Sequence, residues 1–169
     1  MSYSKSIRLA ASTIYQGGVI AYPTEGVFGL GCDPFNAEAV GRILEIKKRP
    51  VQKGLILLGD SFECLEPFIQ PMTDTERDLL EQSWPGPTTW VVKHNGTLPD
   101  WVTGSRDTVA IRVSGHPIAR AICAELKMPI TSTSANRHQR PSISRQLMVH
   151  QQLGEEVDYI VPGHVLDPG

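Results

Sequence analysis

Four short segments of this 169-residue chain carry side chains suited to holding a polar, anionic ligand. The first is Tyr22-Pro-Thr-Glu-Gly-Val-Phe-Gly-Leu-Gly31, in which Thr24 and Glu25 follow a strand-like run, at the strand end where α/β folds place ligands. Gly26, Gly29 and Gly31 either let backbone approach a ligand closely or simply build a glycine-rich turn. The second is Lys47-Lys-Arg-Pro-Val-Gln-Lys53, at a predicted helix C-terminus, where cations also suit the helix dipole. Because Pro50 turns the chain out of the helix at once, Lys47, Arg49 and Lys53 could present several donors to phosphates or a carboxylate. In the third, Val109-Ala-Ile-Arg-Val113, strand alternation sets Arg112 on the face of Ala110, opposite Val109, Ile111 and Val113. An arginine inside an apolar strand needs an anion, either an internal Asp or Glu or a bound carboxylate or phosphate. The fourth, Ile130-Thr-Ser-Thr-Ser-Ala-Asn136, groups four hydroxyls and an amide at a strand end. These donate hydrogen bonds without bringing charge, as a polar pocket requires and as a Ser/Thr-rich turn also does.

What the chain lacks narrows the chemistry. It has no GxxxxGK[ST] loop, no GxGxxG, no GxSxG elbow and no HExxH helix. The five histidines show no metal-ligand spacing and read as surface or cap residues, so no metal ligands are expected. Cys32, Cys64 and Cys123 are odd in number and far apart, which argues against a disulfide framework and for small buried fillers. A hydrophobic fraction of 40% against 20% charged residues allows a packed core, and no apolar run reaches the ~20 residues of a membrane helix. The expectation is a cytoplasmic protein with no membrane partner. The formal charge of −2 hides a segregation. Residues 60–82 carry seven acids and one base and read as a solvated face, whereas 42–53 and 104–145 are basic. Two basic segments far apart in sequence could converge on one anion.

The elements that must position these segments are legible in outline. Helices are predicted over Ser6–Gln16, from an Asn36 N-cap to before Pro50, from Thr73 or Asp74 to Ser83, over Pro117–Lys127 and over Ser144–Leu153. Strands are predicted over Val19–Tyr22, Gly54–Leu58, Thr88–Lys93, Thr108–Val113, Pro129–Thr133 and Val157–Val161. Trp84-Pro-Gly-Pro-Thr88 reads as a rigid turn with an aromatic anchor. Strands and helices mix without a strict βαβ repeat, so the expectation is an α/β fold: one domain over 1–169, a twisted mixed β-sheet with flanking helices.

Taken together the segments resemble the YrdC/TsaC family of threonylcarbamoyl-AMP synthases. The pieces are YPTEGVFGLGCDP from Tyr22, KxRP at Lys47–Pro50, PGPTT from Pro85, AIRV and HP between Ala110 and Pro117, and STSAN from Ser132, in the family's order. The resemblance implies a positively charged cavity on the sheet and a reaction of L-threonine, bicarbonate and ATP. The products would be threonylcarbamoyl-AMP and pyrophosphate, the former serving N6-threonylcarbamoyl modification of tRNA adenosine 37. Carried over by motif, Lys47 and Arg49 would be the catalytic phosphate holders, with Mg²⁺ assisting. Thr24, Arg112 and Ser132 would grip threonine, Arg112 at its carboxylate. Ser134, Asn136 and Ser142 would face the nucleotide, and Lys53 would serve either ligand. Proteins of a threonylcarbamoyl-transferase complex would take the product. The family's closing C-terminal tail is expected to be missing after Asp167-Pro-Gly169. The rival reading is a double-stranded RNA or tRNA-binding module without adenylate chemistry.

Overall fold

Apolar residues at helical spacing bury Ile7, Ala10, Ala11 and Ile14 along one face of helix α1 (Tyr3–Tyr15). In the computed structural model, which describes residues 3–166, the chain then runs through β1 (Ile20–Pro23), β2 (Phe28–Gly31) and α2 (Ala37–Lys47). Asn36 caps α2 by accepting the Ala39 N–H at 3.0 Å, and left-handed Lys48 ends it two residues before Pro50. There follow β3 (Ile56–Gly59), α3 (Phe62–Leu65), α4 (Asp74–Ser83), β4 (Trp90–Lys93), α5 (Asp100–Thr103) and β5 (Thr108–Val113). The chain continues with α6 (Pro117–Leu126), β6 (Ile130–Ser134), α7 (Gln146–Leu153) and β7 (Tyr159–Ile160). Thr73 caps α4 through Glu76 N–H, and His116 caps α6 through Ile118 N–H.

The seven strands form one mixed sheet in the order β4-β5-β3-β6-β2-β1-β7. The pairs β3/β5 and β1/β7 are parallel and the others antiparallel. Strand β2 was not expected. Its Gly29 and Gly31, expected to approach a ligand or make a turn, pair with β1 and lie under the Tyr22 ring. A Cβ on Gly31 would sit 2.8 Å from Tyr22 Cε1 and 2.9 Å from the Thr131 carbonyl, so glycine is what lets this ring lie across the strand.

Side-chain alternation gives the sheet two different faces. Leu57, Val109, Ile111 and Val113 point to one face and are buried under Phe62, Leu65, Leu80, Trp84 and Val102. Ala21, Phe28 and Leu30 point the same way and are buried by α2 and α7 through Val40, Ile43, Val149 and Leu153. On the other face α1 and α6 cover only part: Ile7, Ile14, Ala119 and Ile122 pack on Ile20, Tyr22, Leu58 and Ile130. The β3/β6 and β3/β5 registers put Ile56, Ala110, Arg112, Ser132 and Ser134 on this same face. The remainder of that face, beyond α1 and α6, is where four of the chemistry-bearing segments meet.

The acidic stretch behaves as expected: Arg77 sits among Glu63, Glu66 and Glu81 at the surface, over the Phe62 ring. Among the described residues no helix is long and apolar enough to cross a membrane.

Candidate active site

Arg112 stands mid-strand in β5 with only 16% of its side chain exposed. Its anion is internal: Nη2 donates to Glu25 Oε1 at 3.1 Å. Glu25 Oε1 also accepts from Ser114 Oγ at 2.6 Å, and Oε2 accepts from Gly115 N–H at 2.8 Å. The strand register makes this contact informative. Glu25 lies on the hairpin at one end of the β1/β2 half, whereas Ser114 and Gly115 leave β5 at the opposite end of the other half. They can meet only because the sheet coils strongly enough to bring the hairpin over its own open face. Arg112 Nε is buried and has no hydrogen-bond partner, so this arginine retains donor capacity beyond Glu25.

Thr24 is buried, and its hydroxyl donates to the Val27 carbonyl at 2.6 Å, closing the hairpin turn. Ser132 is buried mid-sheet beside Ile56. Both therefore border the same face as Arg112, with Thr24's proton already committed to the backbone.

A second group assembles around the end of α2. Lys47, its last residue, donates from Nζ to Ser134 Oγ at 3.1 Å and to Asn136 Oδ1. Ser134 Oγ in turn donates to Asn136 Oδ1 at 2.7 Å, and Asn136 Nδ2 donates to the Arg140 carbonyl at 2.6 Å. These oxygens are neutral, so they aim the ammonium without cancelling its charge. Burial, helped by the charge of Arg49, pulls the Lys47 pKa below the ordinary lysine value. Arg49 donates from Nε to the Gly54 carbonyl at 2.9 Å. It is likewise held below its usual pKa, by burial first and then by Arg106. Arg49, Lys53 and Arg106 line one cavity of about 80 Å³ floored by Ile56 and Ala110. Among the described residues, no carboxylate lies within ion-pair distance of Lys47, Arg49, Lys53 or Arg106.

Ser142 stands apart. It is exposed and lines a separate hollow of about 200 Å³ with Ile143, Arg145 and Met148, with no hydrogen bond to the Lys47 group. Glu25, Ser114 and Arg106 carry no assigned role in the motifs read from the sequence. Arg106 was counted in a basic segment, whereas nothing in the sequence marks Ser114 as a partner of Glu25.

The chemistry available is narrow. Burial pushes the Cys32 thiol up to about 12 and the Cys64 thiol up to about 11, so neither is a ready nucleophile. His116 is spent on its cap and on the His164 carbonyl at 2.7 Å. Cations and neutral hydroxyls on one face, with Cys32, Cys64 and His116 all unavailable as nucleophiles, suit orientation of a polyanion and neutralisation of its charge.

The Sua5/YciO/YrdC family model, described as "Telomere recombination", matches residues 12–168. A threonylcarbamoyl-AMP synthase of Nitrosococcus oceani is 48% identical over 157 residues, covering 93% of this chain and 85% of its own length. Among solved structures, P. abyssi Sua5 complexed with L-threonine superposes with a TM-score of 0.90 at 35% identity. That comparison covers 98% of this chain but 48% of the Sua5 chain, so this chain spans about half of it. E. coli YciO superposes with a TM-score of 0.85 at 27% identity, covering 95% of this chain and 79% of YciO. A match over nearly the whole sequence, carried by the same mixed sheet, means that the chain belongs to the Sua5/YciO/YrdC family.

Proposed function

We propose that this chain is an L-threonylcarbamoyladenylate synthase, condensing L-threonine, bicarbonate and ATP into threonylcarbamoyl-AMP and pyrophosphate. The observation that carries the reading is the pairing of two unlike sites on one sheet face. One is a largely buried arginine whose Nε is without a partner. The other is a set of cations without carboxylate partners, Lys47 on Ser134 and Asn136 and Arg49, Lys53 and Arg106 around one cavity. The curated relatives bearing this activity, and the threonine complex of P. abyssi Sua5, support it.

In this reading Arg112 holds the threonine carboxylate, flanked by Ser132 and by the Thr24 turn. The threonine amine and bicarbonate give a carbamate and water. A carbamate oxygen then bonds to the α-phosphorus as the bond from that phosphorus to the β-bridging oxygen breaks, the electron pair leaving on pyrophosphate. Lys47, aimed by Ser134 and Asn136, and Arg49 neutralise charge that grows on the phosphoryl oxygens. Lys53 meets the outer phosphates, and Ser142, on its separate hollow, faces the nucleoside end. Among the described residues no group of three or more His, Cys, Asp or Glu could hold a metal ion. In this reading Mg²⁺ enters with the ATP substrate, carried by its phosphates and water.

The product is an activated threonylcarbamoyl group, so its consumer is a transferase complex acting on tRNA adenosine 37. The test is pyrophosphate release from ATP and bicarbonate with L-threonine, without it, and with L-serine instead. Threonine-dependent release is expected. Absence of release, with tight salt-sensitive binding of double-stranded RNA or tRNA, would overturn the reading in favour of an RNA-binding module.

A further inference from the structure

His116 is buried, and both of its ring nitrogens and its backbone N–H are occupied. Nδ1 accepts the Ile118 N–H at 3.1 Å, capping α6. The ring proton therefore sits on Nε2, which donates to the His164 carbonyl at 2.7 Å. The backbone N–H donates to Ser114 Oγ at 3.0 Å. Having accepted that bond, the Ser114 hydroxyl turns its one proton to Glu25 Oε1, the oxygen that also accepts from Arg112 Nη2. His116 thus joins the carboxylate that orients Arg112 to a stretch of chain about fifty residues further on.

That stretch, residues 163–166, comes back to the same hairpin. Leu166 N–H donates to the Thr24 carbonyl at 3.3 Å, and Gly163 N–H donates to Gln146 Oε1 at 3.2 Å. Val165 is buried in the core beneath α2 and α7. Gly163, at φ +154°, passes so close to α6 and to the end of β1 that a Cβ there would sit 2.6 Å from Ile118 Cδ1 and 3.1 Å from Pro23 Cγ. The hydrogen bonds therefore close a ring. It runs from Glu25 to Ser114, from Ser114 to His116, from His116 to His164, and from Leu166 back to Thr24, the neighbour of Glu25. A satisfied polar network of this kind rigidifies what it joins. The two threonine-side groups, Thr24 and Arg112, are both attached to it. Lys47 and Arg49 bond instead to Ser134, Asn136 and Gly54, none of which belongs to the ring.

Resting on the synthase reading, we propose that His116 is a positioning residue of the threonine site: by holding residues 163–166 against the β1/β2 hairpin, it sets Thr24 and the Glu25–Arg112 pair. His116→Asn isolates that link. Asparagine is itself a favoured N-cap and keeps the backbone N–H on Ser114, but it is too short to reach the His164 carbonyl. Gly163→Ala loosens the same segment from its other side, by pushing it off Ile118. The test is calorimetric titration of wild type and both variants with L-threonine and, separately, with ATP. Thermal denaturation and the kinetics of threonine-dependent pyrophosphate release accompany it. Expected for His116→Asn is a threonine Kd and KM raised about fivefold or more, with ATP affinity and kcat within about twofold of wild type. Its Tm should stay within about 4 °C, because the cap survives. Gly163→Ala should weaken threonine in the same direction, and the double variant should add little to either single one. Threonine affinity in His116→Asn equal to that of wild type, or equal losses for threonine and ATP, would overturn the assignment while threonine-dependent release by wild type keeps the synthase reading. Wild type that neither binds threonine nor releases pyrophosphate in its presence would overturn both.

Discussion

Replacing Glu25 by glutamine probes the contact that folds the β1/β2 hairpin over the sheet. The carboxylate accepts three hydrogen bonds, from Arg112 Nη2, Ser114 Oγ and Gly115 N–H, and is 14% exposed. A glutamine amide that keeps its oxygen toward Arg112 and Ser114 must turn its NH₂ toward the Gly115 N–H, so one bond is lost outright. The others lose their charge assistance. A hydrogen bond to a charged group is worth about 1.5–3 kcal/mol, and Arg112 is left with its charge uncompensated. A net loss of about 2–3 kcal/mol is expected, which for a domain of this size lowers Tm by about 4–12 °C. Thermal denaturation measures that directly. A double-mutant cycle with Arg112→Met should show a coupling of at least about 1 kcal/mol, because the two side chains share one contact. In kinetics, Glu25→Gln should raise the KM for threonine while leaving that for ATP nearly unchanged, since Glu25 orients Arg112 and touches no phosphate-side residue. A Tm within about 1 °C of wild type, or a coupling near zero, would refute the idea that this carboxylate holds the hairpin and the arginine in place.

Other expectations follow from the same geometry. Arg112→Ala should abolish threonine-dependent pyrophosphate release, and Arg112→Lys should not restore it, because a point charge cannot keep Glu25 and also meet a carboxylate with a planar fork; turnover in the alanine variant would remove Arg112 from the site. The lowered pKa of Lys47 means it loses its proton at a lower pH than an ordinary lysine, so the KM for ATP should climb as pH rises toward that range. Lys47→Arg should flatten that climb, and an unchanged profile would sink the assignment. At the far edge of the sheet, burial works to raise the Asp158 pKa, but hydrogen bonds from Arg42 and from Val19 N–H outweigh it and hold the carboxyl below its usual range. Its stabilisation is therefore present above the unfolded-state carboxylate pKa and is lost as pH falls through the lower folded value. With both partners about two-fifths exposed, the effect should stay within about 1 kcal/mol. Urea midpoints of wild type should drop relative to Asp158→Asn only on acidification. Gly31→Ala should cost about 1–3 kcal/mol by overpacking against Tyr22 and Thr131, read as a lower urea midpoint at unchanged slope.

Local pattern determined much of the molecule. The Asn36 and Thr73 caps, the period-two run through Thr108–Val113 and the proline at the start of α6 each state their own structure, because caps, alternation and proline act on neighbours in sequence. The motif residues likewise pointed to an anion site around Lys47, Ser134 and Asn136, whose side chains do touch. Strand β2 escaped notice because its glycines are explained by a ring on another strand, and glycine carries no apolar signal of its own. Tertiary structure alone decided the partner of Arg112. Glu25 is 87 positions away and at the wrong end of a flat sheet, and only accumulated strand twist closes that distance. The same holds for Arg106, which joins Arg49 through the fit of Gly54 against Val102 and Gly104 against Gln52. A sequence states which side chains can bind an anion; the coil of the sheet and the close approach of two backbones determine which of them lie together.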